Sequence, residues 1–466
     1  MKNIDWKDQR ILIIGAARQG TALARYLIAH GAHVILNDHR NPDDLAVIRQ
    51  SLKDLPIEWV LGSHPLELLD HVDLVCVSGG IPLNLPIIVE AQNRDMPLSN
   101  DSQIFLDAVP CKVIGITGSA GKTTTTSLVG RITEESVNVQ PSSINRIWVG
   151  GNIGNPLITN VDEIVQDDLV VMELSSFQLD LMTCSPDVAA VLNVTPNHLD
   201  RHGTMEAYTA AKKRILDFQN PGDTAILGHD DLGSLGFADF VRGDLYTFGM
   251  ARPPKGRFGT FLQDGWITLW DRDSSQKLLP IESIQLRGAH NLLNVLAACA
   301  IASAVEIPAG VIQAGVEKFK GVAHRLEYVR SWGGADWYND SMATAPERAI
   351  AAINAFDEPI VLLVGGRDKN LPWAELAAVA GQRVDHLVIF GEASDVISHA
   401  MNEANHVERP YTTAICQGLC EAVKVAAEVV DPGDVVLLAP GGTSFDEFID
   451  FSERGEYFRK WVNELV

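Results

Sequence analysis

Short apolar runs alternate with helix-length segments along the whole chain. The clearest runs are rich in valine, isoleucine and leucine, and most are too short to be helices. This alternation is typical of parallel strands that are covered by helices on both faces. The pattern therefore predicts an α/β protein. The predicted strands are Ile11–Ile14, Leu74–Val77, Val113–Ile116, Leu169–Met172, Val188–Val194, Pro359–Val364 and Val435–Leu438.

A glycine-rich loop follows the strand at Val113–Ile116 and precedes a segment that suits a helix. In such a loop the backbone wraps closely around phosphate oxygens, the lysine neutralises charge, and a threonine hydroxyl can reach Mg²⁺. The strict GxxxxGK[ST] spacing is not met, because Ile116 stands six residues before Lys122. The context still favours ATP binding. The expected contacts are Gly118, Ser119, Ala120, Gly121, Lys122, Thr123 and Thr124.

The length of 466 residues suggests three domains at roughly 150 residues each. A first boundary is expected just before the strand that leads into the glycine-rich loop, and a second after the helical stretches that end near Gly321. We therefore predict a Rossmann-like domain over residues 1–108, a central P-loop ATPase-type domain with a parallel sheet over 109–321, and a C-terminal Rossmann-like α/β domain over 322–466.

Composition and charge narrow the classes of function. The net charge of −23 disfavours nucleic acid and anionic lipid as partners. No apolar stretch approaches about 20 residues, so no membrane span is expected, and the start of the chain lacks the features of a signal peptide. Cys416 and Cys420 are expected on one face of a helix as reduced core thiols. We expect a cytoplasmic protein that acts on small molecules.

The first domain carries a second glycine loop, Gly15 to Gly20, after its first strand, and Asp38 follows the next strand. Both features suit a nucleotide-binding Rossmann half. The dinucleotide fingerprint is incomplete, because Ala17 takes the middle glycine position. A nucleotide-cofactor oxidoreductase is therefore one alternative, although it would leave the central phosphate loop without a role.

The ordered motifs of the chain resemble those of the Mur ligases, whose nucleotide loop reads TGxxGKTT. The chain departs from the family at Asn197, where an acid is usual, and at Met342, where many D-glutamate-adding members have lysine. The further matching segments are Gly151–Gly154, Glu173–Leu179, Asn193–His202, Ala210–Lys212, Gly288–Asn294, His324–Glu327, Asn339–Ser341, Gly365–Lys369 and Ser444–Phe448.

The resemblance implies an ATP-dependent ligase that adds D-glutamate to UDP-N-acetylmuramoyl-L-alanine through an acyl phosphate. It implies catalytic roles for Lys122, Glu173, His198 and Lys212. Two Mg²⁺ ions are expected, one at Thr123 and Glu173 and one at His198 and Glu173. Lys212 is expected to be carbamylated and to join the metal site. The alternative for Lys212 is a solvated helix lysine, and His198 has the alternative of an ordinary core or surface histidine.

The remaining contacts are also implied by the resemblance. For the nucleotide they are Asn291, Asn294, Arg325 and Asp340. For the UDP-linked substrate they are Arg18, Gln19, Asp38, Arg40, Ser78, Gly79, Asn152, Ser175 and Gln178. For D-glutamate they are Thr344, Lys369, Ser444 and Phe451.

Two further functions stay open at this point. One is a Mur-type ligase for a different amino acid, and the other is a P-loop ATPase of unrelated role. The partners expected in every case are small molecules, and a monomer is expected.

Overall fold

A computed structural model describes residues 4–139, 144–254, 256–271, 273–404 and 409–466. The described residues form three sheets, each flanked by helices. The predicted α/β class with three parallel-sheet domains is confirmed. All seven strands that the apolar pattern predicts are present; Leu74–Val77 has the predicted bounds, and each of the other six has at least one end shifted by one to three residues.

The first sheet is fully parallel and has the strand order β3-β2-β1-β4-β5. Proline at the first position of α3 and an Asn100 side chain that caps α4 set two of the helix starts. The elements are β1 (Arg10–Ile14), α1 (Arg18–Ala29), β2 (His33–Asp38), α2 (Ala46–Ser51), β3 (Ile57–Leu61), a 3₁₀ turn (Leu66–His71), β4 (Leu74–Val77), α3 (Pro86–Asn93), β5 (Leu98–Ser99) and α4 (Asp101–Ala108).

The second sheet has the order β14-β13-β12-β11-β10-β9-β6-β8-β7. It is parallel from β7 to β12, and β13 and β14 extend it as an antiparallel ribbon. Its elements are β6 (Lys112–Thr117), α5 (Lys122–Val139), β7 (Ile147–Gly151), a 3₁₀ turn (Leu157–Glu163), β8 (Leu169–Glu173), α6 (Ser176–Leu179), β9 (Val188–Val191), α7 (Leu199–His202), α8 (Met205–Asp217), β10 (Thr224–Gly228), α9 (Leu232–Leu235), a 3₁₀ turn (Ala238–Phe240), β11 (Asp244–Phe248), β12 (Phe258–Gln263), β13 (Trp266–Asp271), β14 (Ser274–Pro280), a 3₁₀ turn (Ile281–Ser283), α10 (Ala289–Ala304) and α11 (Ala309–Glu317).

The third sheet has the order β15-β16-β20-β17-β18-β19, in which only the β15–β16 pairing is antiparallel. Its elements are β15 (Glu327–Trp332), β16 (Ala335–Asn339), α12 (Pro346–Ile353), β17 (Ile360–Gly365), α13 (Ala374–Arg383), β18 (Val384–Phe390), α14 (Ser394–Glu403), β19 (Thr412–Cys416), α15 (Leu419–Val429), β20 (Val435–Gly441) and α16 (Phe451–Glu464).

The chain divides into two compact units. The first comprises Met1–Ile284 and Ala289–Phe319, and the second comprises Gln285–Gly288 and Lys320–Val466. The first two sheets lie in the first unit and the third sheet in the second unit. The domain boundaries expected from the sequence, after residues 108 and 321, stay a prediction.

Two expectations about membranes and thiols can be compared with the fold. Among the described residues, no helix is both long and apolar enough to cross a membrane. The expectation that Cys416 and Cys420 share one helix face is wrong. Cys416 ends strand β19, whereas Cys420 lies on α15, which begins after the extended residue Gly418.

Within the first unit, a buried glutamine of helix α6 links the domain of the second sheet to helix α4 of the first domain. Gln178 is fully buried, and its Oε1 accepts hydrogen bonds from the backbone N–H and the hydroxyl of Ser175, both at 2.9 Å. Its Nε2 donates to Ser102 Oγ of α4 at 2.7 Å, and its carbonyl accepts from Asn100 Nδ2 at 2.8 Å. Because Gln178, Ser102 and Asn100 are buried away from water, the hydrogen bonds among them are costly to lose.

Gln178→Leu should lower the free energy of unfolding of the first unit by about 2–3 kcal/mol, because it leaves the buried Ser102 hydroxyl and the half-buried Ser175 groups without their partner. Chemical denaturation followed by tryptophan fluorescence measures this. Gln313→Leu is the control, since Gln313 is only partly buried and bonds Glu317 within helix α11. A change of less than about 0.5 kcal/mol in both variants would contradict this account of the linkage.

Candidate active site

The glycine-rich loop joins the end of β6 to the start of α5. The N–H of Ala120 donates to Asn193 Oδ1 at 2.8 Å, Asn193 Nδ2 donates back to Ala120 O at 3.2 Å, and the N–H of Ser119 donates to Asn193 O at 3.0 Å. Gly121 has a φ of +84°, and a Cβ there would lie 2.2 Å from Asn294 Oδ1. Hydrogen bonds to Asn193 thus fix the loop, and Gly121 packs closely against Asn294.

Lys122 begins helix α5, where backbone N–H groups and the helix dipole favour an anion. Its Nζ donates to the loop carbonyl of Gly118 at 2.8 Å and lies 3.5 Å from that of Ser119. The ammonium therefore already lies over the concave side of the loop. A phosphate bound in the loop would meet this charge without a large rearrangement of the backbone.

Three neighbouring strands bring oxygen and amide groups to one edge of the second sheet. Glu173 ends β8 and is 2% exposed. Thr123 Oγ1 donates to Glu173 Oε2 at 2.9 Å, and Asn152 Nδ2 donates to Glu173 Oε1 at 2.9 Å. The register of β6, β8 and β7 pairs Ile116 and Gly151 with Glu173. The start of helix α5, which follows β6, and the loop after β7 therefore carry Thr123 and Asn152 to Glu173.

This edge suits a magnesium ion. Mg²⁺ is usually bound by one or two carboxylates, with substrate phosphates and water as its other ligands. The hydroxyl of Thr123 and the carboxylate of Glu173 are oxygen donors of that kind. Among the residues that the structure describes, no three His, Cys, Asp or Glu side chains gather into a preformed metal cage. The donor set thus fits an ion that shares its ligands with a nucleotide.

Lys212 lies on helix α8 and is almost fully buried, at 1% exposure. Burial lowers its pKa to about 6, and the charge of Lys122 acts in the same direction. Its Nζ lies 4.7 Å from the centre of the Tyr208 ring. The neighbouring cations have other partners: Lys213 pairs with Asp217, and Arg214 donates to the carbonyls of Leu179 and Met182.

The segment around His198 packs on Phe177 of α6. His198 is exposed, has a φ of +53°, and its ring lies 5.2 Å from the Phe177 ring. His202 stacks on Phe177 at 5.1 Å and makes a hydrogen bond of 3.0 Å to Ser176 Oγ. The guanidinium of Arg201 lies 4.6 Å from the same ring. The His198 side chain is thus exposed to solvent while its ring packs against the ring of Phe177.

A cleft of about 390 Å³ lies within the first unit, between the ends of the first sheet and helix α6. Two of the predicted UDP-substrate contacts, Ser78 and Gly79, line it. Their loop is fixed, since Ser78 Oγ donates to Gly15 O at 2.9 Å and the N–H of Gly79 donates to Gln19 Oε1 at 3.2 Å. The other polar or charged lining residues are Asn84, Gln92, Asp180, Arg201 and His202.

The remaining predicted contacts of the UDP-linked substrate differ in exposure. Arg18 is exposed, and its Nη2 lies 3.4 Å from the carbonyl of Asn152. Ser175 caps helix α6. Burial alone would raise the pKa of Asp38, but hydrogen bonds from Arg40 and Ala16 hold it well below its ordinary range. Gln178 is fully buried, and its side chain bonds Ser175 and Ser102 rather than facing the cleft.

The predicted base contacts of the first unit lie next to the phosphate loop. Asn291 and Asn294 occupy the first turns of α10, and Asn294 Nδ2 donates to Asn291 Oδ1 at 3.0 Å. Thr125 Oγ1 lies 3.4 Å from Asn294 Oδ1. Helix α10 begins at Ala289, so Asn291 lies inside its first turn.

The second unit contains the other predicted nucleotide contacts. Asp340 follows β16, and its Oδ1 accepts from the N–H of Leu326 at 3.2 Å. Burial raises the pKa of Asp340 to about 6, while that hydrogen bond and the charges of Arg325 and Arg348 oppose the rise. Arg325 therefore lies close enough to Asp340 to act on it electrostatically.

The predicted D-glutamate contacts also lie in the second unit. Lys369 Nζ lies 3.4 Å from Thr344 Oγ1. Partial burial lowers the pKa of Lys369, and the charges of Arg348 and Arg454 add to this effect, whereas the charge of Glu347 opposes it. Ser444 is almost fully buried, after the end of β20, and Phe451 begins α16. The structure therefore brings Lys369 and Thr344 together in a positively charged environment.

Three residues of the site were not predicted from the sequence. Tyr208 donates to Ser119 Oγ at 2.9 Å and so ties helix α8 to the phosphate loop. Asn193 holds the same loop. Arg454 is fully buried and donates to Ser341 Oγ at 3.0 Å and to Gly442 O at 3.2 Å. Asn193 opens the family-like segment Asn193–His202 and follows the end of β9, and Arg454 lies in the first turn of α16; these were the signals that the sequence offered.

Comparison with family models matches the three domains in order. Residues 9–99 match "Mur ligase MurD-like, N-terminal domain". Residues 116–302 match "Mur ligase middle domain", and residues 324–442 match "Mur ligase, glutamate ligase domain".

Curated relatives match the chain over nearly its whole length. A protein of Symbiobacterium thermophilum named "UDP-N-acetylmuramoylalanine--D-glutamate ligase" is 39% identical over 98% of each chain. A protein of Pelotomaculum thermopropionicum with the same name is 37% identical over 99% of each chain.

Solved structures share the fold. UDP-N-acetylmuramate-alanine ligase MurC of Thermotoga maritima has a TM-score of 0.56 at 18% identity and covers 98% of this chain and 99% of its own. MurF of Acinetobacter baumannii has a TM-score of 0.56 at 19% identity, with coverage of 94% and 87%.

Lys122→Ala should lower the rate of nucleotide turnover by about 100-fold or more, because the charge that meets the phosphates is lost. Steady-state phosphate release measures this. Lys112→Ala, at the exposed start of β6, is the control and should keep the full rate. Near-normal turnover in Lys122→Ala would show that the loop does not bind the reacting phosphates.

Proposed function

The chain belongs to the Mur ligase family, and we propose that it adds D-glutamate to UDP-N-acetylmuramoyl-L-alanine, converting ATP to ADP and phosphate. The observation that carries the proposal is the match along 98% of the chain to a relative named for this reaction. The reaction belongs to the synthesis of peptidoglycan precursors. Because it uses ATP and a nucleotide-linked substrate, we place the enzyme in the cytoplasm; its state as a monomer stays a prediction.

The chemistry proceeds in two steps. A carboxylate oxygen of the UDP-linked substrate attacks the γ-phosphorus of ATP, so a bond to that oxygen forms and the bond to ADP breaks. The amine of glutamate then attacks the acyl carbon of this acyl phosphate, forms the amide and expels inorganic phosphate, while the amine gives up a proton. Both steps place negative charge on phosphoryl oxygens, so fixed cations and N–H donors supply most of the stabilisation.

The residues of the first unit divide this work. The loop N–H groups and Lys122 hold the phosphates, with Asn193 and Tyr208 fixing the loop. Thr123 and Glu173 would hold Mg²⁺, which neutralises charge on the phosphate oxygens when it is bound. We propose that a second ion rests on Glu173, exposed His198 and Lys212.

The second unit supplies the amino-acid site in this proposal. Lys369 pairs one carboxylate of glutamate, while Thr344, Ser444 and the backbone near Phe451 donate to the other. Arg348 and Arg454 make the surroundings of Lys369 positive, although the chain as a whole carries a net charge of −23. A local excess of positive charge suits a dicarboxylate such as glutamate.

One assay separates this function from the alternatives. Phosphate release should require both UDP-N-acetylmuramoyl-L-alanine and glutamate. Release that ignores both substrates would favour a P-loop ATPase of unrelated role. Release that requires the UDP-linked substrate but prefers another amino acid would keep the ligase class and change the amino acid.

Lys369→Ala should raise the KM for glutamate at least about 10-fold and leave the KM for ATP nearly unchanged, because only the glutamate carboxylate loses its ion pair. Initial rates at varied glutamate and varied ATP measure both constants. Lys424→Ala on the exposed face of α15 is the matched control. Equal changes in the two constants would place Lys369 at the nucleotide instead.

Lys212 should be carbamylated. A buried amine with a pKa near 6 is largely neutral at pH 7 and can attack CO₂. The product replaces a cation beside Lys122 by an anion with two oxygen ligands. Enzyme equilibrated with ¹³C-bicarbonate should show one carbamate signal by NMR, and Lys212→Ala should lack it and lose most activity. Wild-type enzyme without the signal, together with normal turnover by the variant, would contradict the assignment.

A further inference from the structure

Arg454 is a fully buried arginine whose guanidinium bonds uncharged oxygens. Its Nε donates to Ser341 Oγ at 3.0 Å and its Nη2 to Ser341 O at 2.9 Å, while Nη1 and Nη2 both donate to Gly442 O at 3.2 Å. Among the residues that the structure describes, no acidic side chain forms an ion pair with it. A buried cation without a counter-ion is costly, and it therefore points to a function for the charge.

Two acids act on Arg454 through their charge but are bonded elsewhere. Asp446 Oδ2 accepts from the N–H of Glu392 at 3.2 Å, and Glu447 Oε2 accepts from the N–H of Leu419 at 3.0 Å. Burial lowers the pKa of Arg454 to about 10, although the charges of Asp446 and Glu447 oppose this. Arg454 is thus a cation at neutral pH, and its charge has no partner at its own position.

The guanidinium contacts two segments that carry predicted glutamate contacts. Ser341 lies three residues before Thr344. Its Oγ accepts from Arg454 and donates to the carbonyl of Phe451 at 2.7 Å, so it also joins the start of helix α16. Gly442 lies two residues before Ser444. Arg454 therefore holds these parts of the amino-acid site together from the interior.

The segment that bears Lys369 also comes close to Arg454. A Cβ at Gly366, whose φ is +99°, would lie 2.9 Å from Arg454 Nη1 and 2.1 Å from Thr443 O. The segment can take this path because glycine has no side chain. The path brings the backbone before Lys369 against the buried cation.

The charge of Arg454 reaches Lys369. Partial burial lowers the pKa of Lys369, the charges of Arg348 and Arg454 lower it further, and the charge of Glu347 opposes them. A cation that repels the Lys369 ammonium attracts an anion bound beside it by the same law, and burial weakens the screening of this attraction by water.

We propose that Arg454 is a positioning residue whose buried positive charge makes the amino-acid site select a ligand with two carboxylates. This inference rests on the proposed function. Lys369 can pair with one carboxylate, and the charge of Arg454 acts on the ligand through the segments around it, without contact. A ligand that lacks one of the two negative charges loses part of this attraction.

Glutarate and its monoamide test this charge, because they have the same length and differ by one carboxylate. Neither has an amine to be ligated, so both are measured as inhibitors that compete with glutamate in phosphate release by the full chain. Arg454→Met removes the charge, and Arg454→Lys keeps it. Arg330→Met is the control, since Arg330 also donates to backbone carbonyls, those of Asn463 and Leu465, but does not act on Lys369.

Wild type should bind glutarate at least about 10-fold more tightly than the monoamide. Arg454→Met should lower this ratio at least about 5-fold, and Arg454→Lys and Arg330→Met should keep it within about 2-fold. Thermal unfolding checks that each variant folds. The inference is overturned by a wild-type ratio near one, by a wild-type ratio in folded Arg454→Met, by a lost ratio in folded Arg454→Lys, or by failure of both Arg454 variants to fold.

The pH dependence of glutarate binding separates an electrostatic role from a purely structural one. Glutarate has no amine, and its binding is lost as the pH rises through the pKa of Lys369, because the ammonium loses its proton. Arg454 holds that pKa down. Arg454→Met should therefore move the loss of binding to higher pH, although the variant binds glutarate more weakly at neutral pH. A loss at the same or a lower pH in that variant would contradict the inference.

Failure of the proposed function can be told from failure of this inference. If wild type releases no phosphate with UDP-N-acetylmuramoyl-L-alanine and glutamate, the proposed function fails, and the inference fails with it. If wild type releases phosphate with both substrates but binds glutarate and the monoamide equally, only the role of Arg454 is refuted.

Discussion

The parallel pairing of β6, β7, β8 and β9 is the constraint on which the active site depends. Parallel strands end at the same edge of a sheet, and their register here sets Glu173 opposite Ile116 and Gly151. Thr123, Asn152 and Glu173 therefore meet within hydrogen-bonding distance although they come from separate parts of the chain. A shift of one residue in strand β8 would turn Glu173 to the opposite face of the sheet, away from Thr123 and Asn152. The buried apolar strands thus fix the chemistry as well as the fold.

Burial also sets the charge state of the lysines at the site. Lys122 and Lys212 are two amines close enough for one to act on the pKa of the other. Two such cations in a poorly hydrated place repel, so the more buried amine gives up its proton. The neutral Lys212 is then free for a modification that reverses the sign of its charge. In the second unit the charges of Arg348 and Arg454 act on Lys369, and this positive cluster suits an anionic amino acid.

The sequence was most informative where the relevant residues are neighbours in the chain. The strands and the loop from Gly118 to Thr124 could be read from apolar runs and glycines. Asn193 and Tyr208 were missed as site residues because their contacts with the loop span 73 and 89 positions, and the fold alone decides such pairs. The four-residue spacing of Cys416 and Cys420 led to the wrong prediction of a shared helix face. Strand β19 ends at Cys416, whereas Cys420 lies in helix α15.

Isotope transfer tests the central claim most directly, because the account requires the substrate carboxylate to attack ATP before the amide forms. UDP-N-acetylmuramoyl-L-alanine labelled with ¹⁸O in its carboxylate would be turned over with ATP and D-glutamate, and the released phosphate analysed by mass spectrometry. We expect one ¹⁸O in each phosphate released per amide formed. Unlabelled phosphate, or phosphate released without amide, would contradict the account.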